Sequence, residues 1–274
     1  MRIGLCQIVS GPNPAKNLEL VREGVRVAAE RGAELAVFPE ATMACFGGPR
    51  LADLAEPLDG PWAIEVGKVA KAAGVRVIAG MFTPARDGRV YNTLLITGGD
   101  GPVGYHKIHL FDAFGFTESK NVAPGEELVT IEVGGVTVGV TTCYDIRFPE
   151  LFRALADKGA SVIVTSASWG SGPGKREQWE LLTRARALDA TTWLVATGQA
   201  DPATTGVETA GAAPTGIGHS MVVDPFGTVH ASLGAAPEVL VVTIEPQLVE
   251  KARQQIPVLA NRRLSFRPSD VGSK

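Results

Sequence analysis

Only three cysteines occur in the 274 residues, Cys6, Cys45 and Cys143. They lie far apart, so the chain encodes no disulfide framework. The four histidines are equally sparse. His106 and His109 share "YHKIHLF", but two imidazoles without a third ligand make no zinc site, and no metal is expected. No apolar run is long enough to cross a bilayer. The start, "MRIGLCQIVS", lacks the apolar core and cleavage site of a signal peptide. A cytoplasmic protein without a membrane partner is expected. Excess positive charge is missing too. Lys and Arg number 26 against 29 Asp and Glu, for a net charge of −3 and a pI near 5.9, which argues against a nucleic-acid partner. A phosphate loop is also absent. In "WGSGPGKREQWE" the Walker spacing fails, because Trp169 stands where the first glycine belongs and Arg176 follows Lys175.

What is present suits a soluble α/β core, with 45% hydrophobic and 20% charged residues. Apolar patterning alternates between period 2 and period 3.6. Strands are expected at 2–9, 33–39, 75–81, 161–168, 191–199 and 238–245, and helices at 16–31, 61–74, 148–159, 175–190 and 247–255. Hairpins are expected over 90–108 and 218–233, the second turning at "DPFG". "RGAELAVFPEA" (31–41) resembles "KGASVIVTSAS" (158–168), which suggests two similar halves whose sheets pack face to face with helices outside. Residues 201–217, rich in Gly, Ala, Thr and Pro, read as a mobile loop inside one domain spanning 1–274. The tail 257–274 reads as basic and extended.

"TVGVTTCYDIRFPELF" (137–152) places Cys143 between a β-branched run and a helical one. A buried cysteine is most often apolar filler. At a strand-to-helix corner, however, free N–H groups and the helix dipole favour the thiolate. Glu40, after Pro39 at a strand end, fits either a charge paired with an arginine or a general base. Lys107 alone reads as a surface ammonium, and Glu118 as a loop acid. Trp169 fits a pocket wall and a buried structural indole about equally. Asp145 is placed to cap the helix beginning near Phe148. Arg147 could simply pair with Glu150, and Lys175 and Arg176 could be solvated.

Five segments in order, "VFPEA", "YHKIHLFDAFGFTES", "VTTCYDIRFPEL", "GHSMVVDPFG" and "RQQIPV", resemble the nitrilase superfamily of carbon–nitrogen hydrolases. The nearest branch is Nit, which includes deaminated glutathione amidase and omega-amidase. The resemblance covers nearly the whole chain. It implies a four-layer α-β-β-α sandwich, commonly paired into a homodimer. It also implies a catalytic set of Glu40, Lys107 and Cys143 with Glu118 beside the lysine, and no cofactor. Cys143 would attack an amide of a small carboxylic acid, with Glu40 as base and with Lys107 and the Tyr144 N–H meeting the oxyanion. Tyr144, Trp169, Arg147 and Lys175 become candidate substrate contacts. Three departures flank the pocket and bear on the substrate: a short stretch between Lys107 and Glu118, a long 201–217 loop, and Trp169 where several Nit proteins carry Phe. An N-carbamoyl-amino-acid hydrolase or a nitrilase on the same scaffold, or a binding protein without turnover, are the other readings.

Overall fold

The computed structural model describes residues 1–207 and 213–264. The first half runs β1 (Arg2–Gln7), α1 (Pro14–Glu30), β2 (Leu35–Val37), α2 (Leu51–Leu54), α3 (Pro61–Ala73), β3 (Arg76–Pro84), β4 (Val90–Thr97) and β5 (Val103–His106). A small hairpin follows, β6 (Asp112–Ala113) and β7 (Phe116–Thr117), and then a 3-10 turn, Glu118–Lys120. The second half runs β8 (Thr130–Val133), β9 (Val136–Thr142), a 3-10 turn at Cys143–Arg147, α4 (Pro149–Asp157), β10 (Val162–Ala167), α5 (Lys175–Ala190) and β11 (Trp193–Gly198). It ends with β12 (Met221–Val223), β13 (Val229–Ser232), β14 (Glu238–Thr243) and α6 (Gln247–Gln255).

Two six-stranded sheets result, ordered β14-β1-β2-β3-β4-β5 and β13-β12-β11-β10-β9-β8. In each, three parallel strands continue into an antiparallel pair on one side and meet one antiparallel strand on the other. β2 and β10 occupy equivalent central places, so the resemblance between 31–41 and 158–168 is a structural repeat.

Strand alternation builds the layers, because successive side chains point to opposite faces. Ile3 and Leu5 of β1, and Val162 and Val164 of β10, face each other between the sheets. Cys6 turns outward against Val21 and Val25 of α1, and Ile163 against α4 and α5. The architecture is therefore α-β-β-α. Each fully buried aliphatic side chain contributes about 1.5–3 kcal/mol. The helices start and stop where local chemistry dictates. The Asn13 side chain caps α1, and Pro61 opens α3, which Gly74 closes in the left-handed conformation.

Some boundaries differ from expectation. β2 ends at Val37, although the chain beyond it stays beside β3, with the Phe38 N–H on the Ile78 carbonyl and the Gly80 N–H on the Pro39 carbonyl, and the Ser166 hydroxyl reaches from the second sheet to the Phe38 carbonyl. The chain after α6 is not extended at its start. Asn261 N–H closes a turn on Pro257, and Arg262 pairs with Asp157. Residues 265–274 lie outside the described residues, as do 208–212 of the expected mobile loop. Within that loop the Pro214 carbonyl accepts the Ser168 hydroxyl and the Gly216 N–H bonds the Trp169 carbonyl, while residues 203–207 are exposed. Among the described residues no helix is long and apolar enough to cross a membrane.

Candidate active site

Glu40, Lys107, Cys143 and Ser168 each follow a strand, β2, β5, β9 and β10 respectively. The sheet packing brings these four strand ends to one edge, where ligands of α/β sheets gather. The sequence-predicted set meets there. Lys107 Nζ lies 2.9 Å from Glu40 Oε1 and 2.8 Å from Glu118 Oε2, with all three side chains at most 3% exposed. Glu40 thus pairs with a lysine, not an arginine. Glu118 is a buried acid at the head of a 3-10 turn, not a loop charge.

Backbone features make this convergence possible. A Cβ on Gly80 would sit 2.4 Å from the Ala41 nitrogen, so glycine lets β3 approach the segment that carries Glu40. Cys143 and Ala41 are non-glycine residues held at φ 46° and 57°. Such left-handed residues are uncommon and cluster at functional sites. In the nucleophile-elbow manner, the strained corner turns the Cys143 side chain toward the pocket.

The corner is held by Asp145. Its carboxylate accepts the Thr142 N–H, the acid's half of a capping box on the Cys143–Arg147 turn. It also accepts from the Tyr105 hydroxyl and from the His109 backbone N–H, and it bonds the His109 ring. Asp145 therefore caps the cysteine's own turn and not the helix after Phe148, which has no side-chain cap.

Counting bonds separates the two glutamates. A carboxylate offers about four lone-pair sites. Glu118 fills four: Lys107 on both oxygens, Asn92 on Oε1 (3.0 Å) and the Phe111 N–H on Oε2 (2.7 Å). Glu40 fills three: Lys107 (2.9 Å) and Asn92 (2.7 Å) on Oε1, and the Ser168 N–H (2.7 Å) on Oε2. One position remains on Glu40 Oε2. The Ser168 residue that bonds this oxygen also presents its carbonyl 3.8 Å from Cys143 Sγ.

The electrostatics overturn one sequence expectation. Burial, followed by the Glu40 charge, pushes the Cys143 thiol well above the ordinary range, with Lys107 pulling the other way. A five-residue turn supplies too little dipole to offset a buried, anion-facing position, so the resting group is a thiol. For Lys107, burial pushes down, but Glu118 and then Glu40 outweigh it and hold the ammonium well above the ordinary lysine value. Cys6 sits in the core between β1 and α1, where burial pushes its thiol up. It is filler.

Tyr144, Trp169, Arg147 and Lys175 all line the pocket mouth, together with Phe46, Phe111, Phe116 and Pro214. Arg147 bonds Gln178 (2.6 Å), not Glu150, and its guanidinium lies 5.4 Å from the Trp169 ring centre. Lys175 Nζ stands 3.5 Å from the centre of Phe114, the exposed tip of the β6–β7 hairpin. Arg176 instead pairs with Glu180 on the exposed face of α5. Asn92, Ser168, Tyr105 and the 112–117 hairpin escape sequence reading. The "YNT" of β4 carries no local signal, since both partners of Asn92 are remote, Glu40 by 52 positions and Glu118 by 26. Among the described residues no His, Cys, Asp and Glu side chains gather as a metal site.

Known proteins align with this chain over nearly its whole length. The family model for carbon-nitrogen hydrolases matches residues 2–254. A hydrolase of Mycobacterium tuberculosis is 56% identical over 268 residues, covering 96% of this chain and 95% of its own length. The deaminated glutathione amidase of Escherichia coli O157:H7 is 36% identical over 256 residues, covering 91% and 92%. The crystal structure of Saccharomyces cerevisiae Nit3, from branch 10 of the nitrilase superfamily, superposes with a TM-score of 0.83 at 25% identity, covering 96% and 97%.

Proposed function

The chain belongs to the carbon–nitrogen hydrolase family of the nitrilase superfamily, in its Nit branch, and we propose that it hydrolyses the amide of a small carboxylic acid through a Cys143 thioester. The observation that carries this reading is the single open position on Glu40 Oε2, beside a cysteine that rests as a thiol. A thiol needs a base at the moment of attack, and Glu40 has room for one more proton where Glu118 has none.

In this mechanism the Cys143 proton passes to Glu40 Oε2 as Sγ attacks the amide carbon. Glu40 takes one N–H of Lys107 and the two Glu118 oxygens share a second in a bifurcated bond, which leaves the third to meet the oxyanion. The Tyr144 N–H, in the first turn after the corner and without an intrahelical acceptor, is the second donor. Glu40 returns its proton to the leaving ammonia. Water then enters, gives a proton to Glu40, and attacks the thioester. The acid departs and the thiol is restored.

The mouth supports an acidic amide of the deaminated glutathione or omega-amide type. Arg147 spends its hydrogen bond on a neutral glutamine and Lys175 rests over aromatic faces, so among the described residues neither has a carboxylate partner. A substrate carboxylate would supply one. The test is ammonia release from a panel of half-amides of dicarboxylic acids, simple amides, ureides and nitriles, with Cys143→Ala as blank. Acidic amides should give the highest kcat/KM. A higher value for the matched nitrile or ureide would overturn the assignment.

We also propose a homodimer through α4 and α5. Leu181 and Leu188 are 66% and 43% exposed on α5, and the buried Arg186, ion-paired with Asp189, has no hydrogen-bond partner for its Nε among the described residues. Sedimentation of Leu181→Glu/Leu188→Glu should give a monomer where the parent gives a dimer. A parent that sediments as a monomer refutes it.

A further inference from the structure

Asn92 belongs to β4 and does not line the pocket. Its side-chain N–H2 group donates to Glu40 Oε1 (2.7 Å) and to Glu118 Oε1 (3.0 Å). Lys107 Nζ donates to the same two oxygens, at 2.9 and 3.2 Å. The amide and the ammonium therefore grip one pair of carboxylate oxygens from two sides. Which end of the amide faces them is settled by chemistry. Ionised carboxylates only accept, so the nitrogen must point at them.

The other end of Asn92 is left wanting. Its Oδ1 is buried and has no partner among the described residues, which disfavours folding relative to an apolar residue of the same size. The side chain is therefore in place for its two N–H groups. What those groups change is the bond count on each glutamate. Without them, Oε1 of Glu40 and Oε1 of Glu118 would each have an open position. A proton leaving Cys143 could then settle on either acid, or on the Glu40 oxygen turned away from Ser168.

We infer that Asn92 is a positioning residue that confines proton transfer to Oε2 of Glu40, by occupying Oε1 of both glutamates in parallel with Lys107. The inference rests on the proposed amidase reading and adds to it a residue outside the glutamate, lysine and cysteine set. Because Asn92 reaches no substrate, its loss acts on turnover and not on binding.

The experiment compares Asn92→Leu, which removes both donors at nearly constant volume, with the parent enzyme on the half-amide of succinic or glutaric acid. Rates are measured well below the melting temperature and expressed per native Cys143 site, the native fraction being titrated with urea by far-ultraviolet circular dichroism. The titration removes any loss of folded protein from the comparison. The expected result is a fall in kcat per site of about tenfold or more, the scale of a hydrogen bond to a charged group, with KM unchanged within about twofold. Asn92→Ser, which keeps one donor, should fall in between, and it carries the test if the leucine variant does not fold. A kcat per site within about twofold of the parent in a folded variant would overturn the inference, since a merely structural asparagine lowers the melting temperature and leaves the titrated sites fully active. Glu40→Gln, run alongside, separates the two ideas. If it keeps turning over, the amidase reading fails. If it is inactive while Asn92→Leu works normally, only the role of Asn92 fails.

Discussion

The floor and the mouth of the pocket are built on different principles. On the floor, Lys107, Glu40 and Glu118 are buried and, with Asn92 behind them, joined by bonds of 2.7–3.2 Å. At the mouth, Arg147 and Lys175 lie over the faces of Trp169 and Phe114, contacts that are broad in geometry. Buried networks in low dielectric hold one arrangement and penalise any other. Cation–aromatic contacts at a partly open surface are worth about 0.5–1 kcal/mol and exchange easily for a better anion. In the proposed mechanism the reacting groups are thus fixed before the substrate arrives, while its recognition is left adjustable.

That contrast breaks first at Glu40. Glu40→Gln should lower amide turnover by about a hundredfold to ten-thousandfold, the worth of a positioned acid–base group. Alkylation of Cys143 by iodoacetamide should survive and quicken at neutral pH. The Glu40 charge raises the thiol and Lys107 lowers it, so removing the carboxylate leaves the lysine to favour the thiolate. Parallel loss of turnover and labelling would show that Glu40 does not act as drawn. Lys107→Met should cost about a hundredfold or more in kcat, and a near-normal kcat would remove the lysine from the oxyanion.

The mouth should answer in KM. Lys175→Ala is expected to raise KM for acidic amides about tenfold with kcat within about twofold, the sign of lost uniform binding. Burial and then Arg147 hold the Lys175 ammonium below its ordinary value. Because a cation loses its charge as pH rises, KM for acidic amides should begin to climb below the usual lysine range. Lys175→Ala should erase that climb, and a variant that keeps it places the titration elsewhere. The smallest effect is expected at Tyr105→Phe, which takes one hydrogen bond from Asp145. A loss of about 1–2 kcal/mol in stability, with kcat within a few-fold, can be read by thermal unfolding and initial rates. An equal loss in Lys175→Ala would blur the distinction between a rigid frame and a pliable rim.

The sequence showed the frame better than the network. β10 and α5 could be read because burial on one or both faces imposes a period, and the 31–41 and 158–168 likeness pointed to equivalent strands. Glu40, Lys107 and Cys143 could be assembled only through resemblance to a family. The three side chains lie far apart in the chain, and no local pattern joins them. Asn92 stays hidden for the same reason, and Asp145 reads as a cap but for the wrong turn. Each is an ordinary polar residue until the fold surrounds it with acceptors or donors. The direction of the Cys143 shift was misjudged because a helix corner is a local feature, whereas burial and a facing carboxylate arise from tertiary packing.

Consider, finally, where the halves are joined. The Ser166 hydroxyl reaches the Phe38 carbonyl, the Ser168 N–H reaches Glu40, and Gln199 reaches from the second sheet to the Glu40 carbonyl and Ser10. Glu40 and Cys143, the proposed base and nucleophile, therefore stand on opposite leaves of a hinge that is pinned where they meet. A small slip of one sheet over the other would leave helices, strands and both apolar outer layers intact while parting the thiol from its base. In rising denaturant, catalysis should fade before far-ultraviolet circular dichroism changes, which would make the enzyme a gauge of its own sheet alignment.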